Sequence, residues 1–292
     1  MPSRKERTMF AYSMHARGAG GVLDYPDVFR SLNRVPATTR QTSVGDEVVG
    51  LTSMAERESG WVLRFVAGED ALALFYDPRT GEEGQTDLGG RLVAHANWVY
   101  VNPETRIVAI ERRRPGVGVA VIARALGHMV SELGIVEGPA RFDFNPVAGT
   151  SLGAEIRRYE RIRQASVVLA RPNFNWSDNS QRLTDYADDS NADGVEISMS
   201  AERGESLTKD NGIVADILDA TKKILGPVKN LRITGRRTGE KKESSVSLKR
   251  HQQKRSYEVP GTQDLQAEQE SFGSSAEEFV SHITDGEAPP DE

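Results

Sequence analysis

An alternation of short extended and helical patterns between residues 141 and 255 constrains this chain most. Residues 141–145 alternate polar and apolar side chains, as a half-buried strand does. Leu152, Ile156, Tyr159 and Ile162 recur at three- and four-residue spacing, which predicts one helix over residues 152–162. Residues 165–170 are apolar and rich in β-branched side chains, so they read as a buried strand ended by Pro172. Ser177 or Asp178 caps an expected helix that runs to about Asn191. Val195, Ile197 and Met199 then alternate with Glu196, Ser198 and Ser200, a strand period. Asp210 starts a further helix with Ile213, Ile217, Ala220, Ile224 and Leu225 facing inward. Residues 228–234 and 245–249 form a hairpin about a polar turn at 235–242. The order β-α-β-α-β-α-β-β predicts helices laid on a sheet in a split β-α-β form.

Ahead of it, residues 8–16 read as a strand, and Asp24 caps a short helix that buries Val28, Phe29 and Leu32. Residues 61–66 and 71–76 are expected to pair with each other. Residues 93–101 and 107–111 flank the hairpin loop Asn102-Pro-Glu-Thr105. A helix over 117–133 buries Val121, Ala125, Leu126 and Met129. The expected fold is thus α+β with two lobes: a mostly antiparallel lobe over 1–135 and an α/β lobe over 140–257. Residues 258–292 are polar and acidic, and read as a disordered tail. Within them Phe272, Phe279, Val280 and Ile283 allow a short helix that docks on a partner.

Charge is unevenly placed. Lys229, Arg232, Arg236, Arg237, Lys241, Lys242, Lys249, Arg250, Lys254 and Arg255 face only Glu240 and Glu243, a local net of +8. Residues 256–292 carry −10, so the overall −6 hides a basic body. A cationic hairpin tracks phosphates without reading bases. Arg232, Arg236 and Arg250 are expected on one exposed face, with Lys241 and Lys242 at the tip. Arg112, Arg113 and Arg114 extend that surface. Tyr257 is the aromatic residue nearest the cluster, so duplex DNA is favoured over unpaired nucleic acid. The plainer alternative is a solvated edge strand protected by its charge.

Several chemistries find no support. The chain has no cysteine, which removes thiolate catalysis and Cys-based zinc sites. No apolar run reaches the roughly 18 residues of a membrane span, and the first residues lack a secretory apolar stretch. A cytoplasmic location follows as the expectation. His15, His95, His128, His251 and His282 are too dispersed to ligate a metal. No cofactor and no catalytic residue is expected. Gly116-Val-Gly118 precedes a helix, which admits an anion site at its N-terminus beside the reading as a plain turn. A metal-dependent nuclease would draw on Asp143, Glu155, Asp188, Asp189 and Glu196, with Glu240-Lys241-Lys242 only loosely matching the needed motif. A module that recognises a phage or partner protein is the other alternative.

Four segments carry a resemblance. They are Val101-Asn-Pro-Glu-Thr-Arg-Ile-Val-Ala-Ile-Glu-Arg112, Ala170-Arg-Pro-Asn-Phe-Asn175, Gly194-Val-Glu-Ile-Ser-Met-Ser200 and Glu205-Ser-Leu-Thr-Lys-Asp-Asn211. They resemble a bacterial and prophage domain family of unknown function. The two-lobe layout over residues 9–255 resembles the phage lambda exclusion protein RexA. That resemblance implies a homodimer that binds double-stranded DNA without sequence preference and takes part in blocking phage growth; a companion defence protein belongs to the alternative reading as a protein-recognition module. It transfers no individual contact and no catalytic residue. The acidic tail departs from it and would be placed to mask the basic hairpin.

Overall fold

Ile107, Val108, Ala109 and Ile110 are consecutive and all buried, so their strand is covered on both faces. A computed structural model shows how. It describes residues 5–69, 73–77, 82–86, 93–170, 190, 192, 194–224, 228–261 and 264–286. In chain order the N-terminal elements are β1 (Lys5–Gly18), β2 (Gly21–Val22), α1 (Tyr25–Arg34), β3 (Gln41–Val44), β4 (Glu47–Glu56) and β5 (Trp61–Glu69). Then come β6 (Ala73–Asp77), β7 (Glu82–Thr86), β8 (Val93–Asn102), β9 (Ile107–Arg112) and α2 (Val119–Glu132). Next are β10 (Arg141–Pro146), α3 (Ser151–Arg157), β11 (Tyr159–Ala170) and β12 (Gly194–Ser200). The last are α4 (Gly212–Ala220), β13 (Val228–Arg237), β14 (Glu243–Ser247), β15 (Lys254–Val259) and α5 (Leu265–Thr284).

The protein is α+β, with a large antiparallel sheet of nine strands, seven of them ordered β10-β1-β9-β8-β5-β4-β3, and β2 and β15 paired with β1 off that path. Strand β15 also pairs with β1, from Lys5↔Val259 to Phe10↔Lys254, while β10 pairs with it from Tyr12↔Pro146 to Arg17↔Arg141. The period of two along β1 sends Met9 and Ala11 to one face and Met14 and Ala16 to the other. On the second face lie α1 and α2, with Phe29, Leu32, Leu126 and Met129 in the same core. Asp24 accepts from the Asp27 amide at 3.1 Å and caps α1, as its sequence predicts.

The first face is covered by α5, and this corrects the disordered tail. Phe272, Ala276, Phe279, Val280 and Ile283 are buried against Trp98, Tyr100 and Tyr257. The four apolar residues that allowed a docking helix do form one, but it docks on its own chain. Arg57 fixes its outer side through Glu270 and Glu277, both at 3.0 Å. A polar composition misled here because one apolar stripe on a 20-residue helix is enough when a sheet face is waiting for it. Residues 287–292 of the expected tail lie outside the described residues.

The smaller sheet has the order β12-β11-β13-β14. Both β12 and β13 are antiparallel to β11, hence parallel to each other, and α4 joins them. This is the split β-α-β unit expected from the sequence. The expected strand over 141–145 belongs instead to the large sheet, and β15 returns there, so the chain crosses the expected boundaries at 134–140 and 257. The helix expected over 152–162 ends at Arg157. Register shifts at Tyr159/Arg161 and Ile162/Gln164 put Tyr159 and Ile162 into the same core as Ala165 and Val167. Those bulges give a strand a helix-like spacing. Gly235 faces this irregularity, where a Cβ would lie 2.1 Å from the Arg161 carbonyl oxygen. The pairing expected between residues 61–66 and 71–76 is also replaced: β5 lies between β4 and β8, and β6 pairs with β7. The helix expected over 178–191 lies outside the described residues, apart from residue 190.

Phe272 stacks on Trp98 at 6.5 Å and meets Tyr257 edge-on at 5.4 Å. Phe272→Ala is therefore expected to destabilise the whole protein by about 3–5 kcal/mol. Urea unfolding checks this, and a midpoint unchanged from the parent would contradict the docked helix.

Candidate nucleic-acid interface

One face of the small sheet is covered by α3 and α4, and the other is open. Along β13, Leu231 and Ile233 turn to the covered core, so Asn230, Arg232, Thr234 and Arg236 take the opposite side. Register aligns Ser198, Ser166, Arg232 and Ser247 in one row across the strands. The next row is Ser200, Gln164, Thr234 and Ser245. The row on the other side of Arg232 is Glu196, Val168 and Asn230, so the open face is mostly hydroxyl and amide groups with exposed Arg232 near its centre and an exposed carboxylate at Glu196, and the hairpin tip beside it carries exposed Lys241 and Lys242.

The basic residues singled out in the sequence divide into two sets. Four are bound to the protein's own carboxylates. Lys229 lies 3.2 Å from Asp143, Arg236 lies 2.6 Å from Glu160, and Arg255 lies 2.9 Å from Glu278. Arg237 lies 3.1 Å from Glu155 and 4.0 Å from Glu240, with its guanidinium 5.5 Å from the Tyr159 ring centre. The hydrogen bond from Arg158 holds the Glu155 carboxyl below the usual carboxylate range, and the Arg237 charge adds to this. Arg232, Lys241, Lys242, Lys249, Arg250, Lys254, Arg112, Arg113 and Arg114 make no ion pair among the described residues.

Position divides them again. Arg232 and Arg236 share the open face as expected, but Arg250 lies in a 3-10 turn, Leu248–Arg250, after β14. That turn puts Lys249 at the opposite end of β14 from the tip lysines. There Lys249 meets Arg112 and Arg113 at a cavity on the large sheet. Arg112 itself stands over the Phe10 ring at 5.4 Å. Sequence reasoning missed Arg163, which reaches Glu243 at 3.1 Å and occupies that acid in place of the hairpin's own cations. Only strand register brings Arg163 to the hairpin, so no local pattern announces it. The acidic residues of α5 bind Arg7, Arg57 and Arg255, so the helix neutralises cations of the large sheet rather than the hairpin tip.

No family model matches this chain, and no curated protein matches it either. The carboxylates considered for a nuclease are dispersed or engaged: Asp143 with Lys229, Glu155 with Arg158 and Arg237, and Glu196 exposed on β12. Asp188 and Asp189 lie outside the described residues. Among the described residues no three His, Asp or Glu side chains gather as a metal would require, and no helix is long and apolar enough to cross a membrane. Tyr257 is buried and donates to Glu111 at 2.8 Å, so its ring offers no stacking platform.

The two sets should separate in stability. Arg237→Ala, which strips Glu155 and Tyr159 of a partner, is expected to cost about 1–2 kcal/mol. Lys241→Ala with Lys242→Ala should stay within about 0.5 kcal/mol of the parent. Thermal unfolding of both variants compares them; an Arg237→Ala melt no lower than that of the lysine variant would contradict the division.

Proposed function

We propose that this chain is a sequence-independent binder of double-stranded DNA that acts without catalysis, in phage defence or exclusion. The observation that carries the reading is the open polar face of the small sheet, with Arg232 on it and Lys241 and Lys242 at its tip, all without an acidic partner among the described residues. Hydroxyls, amides and cations of this kind hold phosphate oxygens, and contacts to phosphate carry no sequence information. Lys249, Arg250 and Lys254 extend the cationic surface beyond the far end of β14. Lys229, Arg236, Arg237 and Arg255 support their neighbours through ion pairs and are assigned no phosphate. The defence role, a homodimeric state and a cytoplasmic location rest on the family resemblance and the composition, and a companion defence protein on the alternative reading as a protein-recognition module.

Binding set by release of counterions weakens steeply with salt. Gel shifts on unrelated duplexes should show equal retention at a given salt concentration and a common fall as salt rises. Arg232→Glu with Lys241→Glu and Lys242→Glu should weaken every duplex alike and flatten the salt slope by about one unit per lost contact. Retention that ignores salt, or that favours one sequence, would overturn the reading. Cleavage of plasmid in magnesium would favour a nuclease instead.

A further inference from the structure

Two adjoining cavities flank α2, and of their lining the duplex reading uses only Lys249. The smaller, about 260 Å³, lies where Gly116-Val-Gly118 enters the helix. Arg112, Arg113 and Lys249 line it, and none has an acidic partner among the described residues. Its one carboxylate, Glu111, is 1% exposed and already satisfied. It accepts from Arg7 at 2.8 Å, from Tyr257 at 2.8 Å and from the Trp98 amide at 3.1 Å. The cavity therefore keeps three positive charges against a carboxylate turned to other work.

Its floor is built to stay open. Buried Asn97 accepts from the Val117 amide at 2.5 Å and donates to the Glu111 carbonyl at 2.6 Å, which pins the loop. A Cβ at Gly116 would lie 2.7 Å from both Asn97 Oδ1 and the Arg113 carbonyl oxygen, so only glycine fits there. Gly118 caps α2 without a side chain, so the cap residue itself offers no side-chain acceptor to the first amides of the helix. A helix N-terminus alone would make no site; here it opens into a cavity that three cations share.

The larger cavity, about 750 Å³, lies between α2 and β10. Tyr12 and Val119 line both cavities, so the two meet. Tyr12, Phe142 and Phe144 supply aromatic surface, and Ala120, Ala123 and Gly127 of α2 leave room beside it. This volume falls within the range of roughly 300–1,000 Å³ that holds small organic ligands, mostly apolar with a few polar groups at the rim. Here the polar lining is Arg124, His128, Arg141, Asp143 and Lys229.

We propose that the joined cavities bind a free nucleoside monophosphate, with the phosphate among Arg112, Arg113, Lys249 and the first amides of α2, and the nucleoside against Tyr12 and Phe144. The juxtaposition of a cationic anion-sized cavity with an aromatic one is what selects this class. Oriented amides and guanidinium groups suit a phosphate dianion, and aromatic side chains suit a base. The site goes beyond the duplex reading and does not rest on it.

Titration calorimetry on the full chain tests it with AMP, GMP, CMP and UMP, the matching nucleosides, and inorganic phosphate. At least one monophosphate should bind saturably at one per chain, and its nucleoside at least about tenfold more weakly. Arg113→Gln with Lys249→Gln should weaken the monophosphate at least about tenfold. Should that variant fail to fold, Ala120→Trp, at an exposed helix position, fills the larger cavity. It should abolish nucleotide binding while inorganic phosphate still binds. Lys241→Glu with Lys242→Glu should leave nucleotide binding unchanged while duplex retention falls. The proposal is overturned if no monophosphate saturates, if nucleoside and nucleotide bind equally, or if Ala120→Trp binds nucleotide as the parent does. Absent nucleotide binding beside intact duplex retention would remove this site and leave the duplex reading standing.

Discussion

Strand β1 is hydrogen-bonded along both edges, and the rest of the molecule depends on that double ladder. One edge takes β9 from the middle of the chain. The other is shared end to end by β15 and β10, so residues near both ends of the described chain meet on one strand. Its alternation feeds two cores at once, Met9 and Ala11 toward α5, Met14 and Ala16 toward α1 and α2. Glu111 ties this arrangement together across strands: its buried carboxylate joins Arg7 of β1, Tyr257 of β15 and the Trp98 amide of β8. Leaving such a charge without its partners costs several kcal/mol, which explains why three donors converge on it.

Local patterns were legible wherever local physics decides. The Asp24 cap, the hairpin of β8 and β9, the α2 helix, and the β12–α4–β13 unit with β11 inserted between its strands all follow from period, capping and turn residues. Partners across long sequence separation were not legible. Nothing in residues 141–146 says that they pair with residues 12–17, and nothing in residues 254–259 says that they reach residues 5–10. The bulged start of β11 imitated a helix because two inserted residues convert a period of two into a spacing of three. The docked α5 was half legible: its apolar stripe was visible, and its own sheet as the partner was not.

The candidate interface shows the same limit. Sequence gathers ten cations between residues 229 and 255 into one apparent patch, and the fold divides them. Arg236 and Arg237 spend their charge on Glu160 and Glu155, which lie some 80 residues earlier in the chain. Lys249 is drawn away to Arg112 and Arg113 by the turn after β14. What remains toward solvent is narrower than the sequence patch, but it lies beside a hydroxyl-rich sheet face that composition alone does not reveal.

The account therefore turns on which cations face a polyanion and which face the protein itself. Duplex affinity at one fixed salt concentration, measured for two quadruple Gln variants that still unfold cooperatively, tests this most directly. Replacing Arg232, Lys241, Lys242 and Lys249 should lower affinity by about tenfold or more. Replacing Lys229, Arg236, Arg237 and Arg255 should lower stability and leave affinity within about twofold of the parent. An equal loss of affinity in both variants would contradict the account.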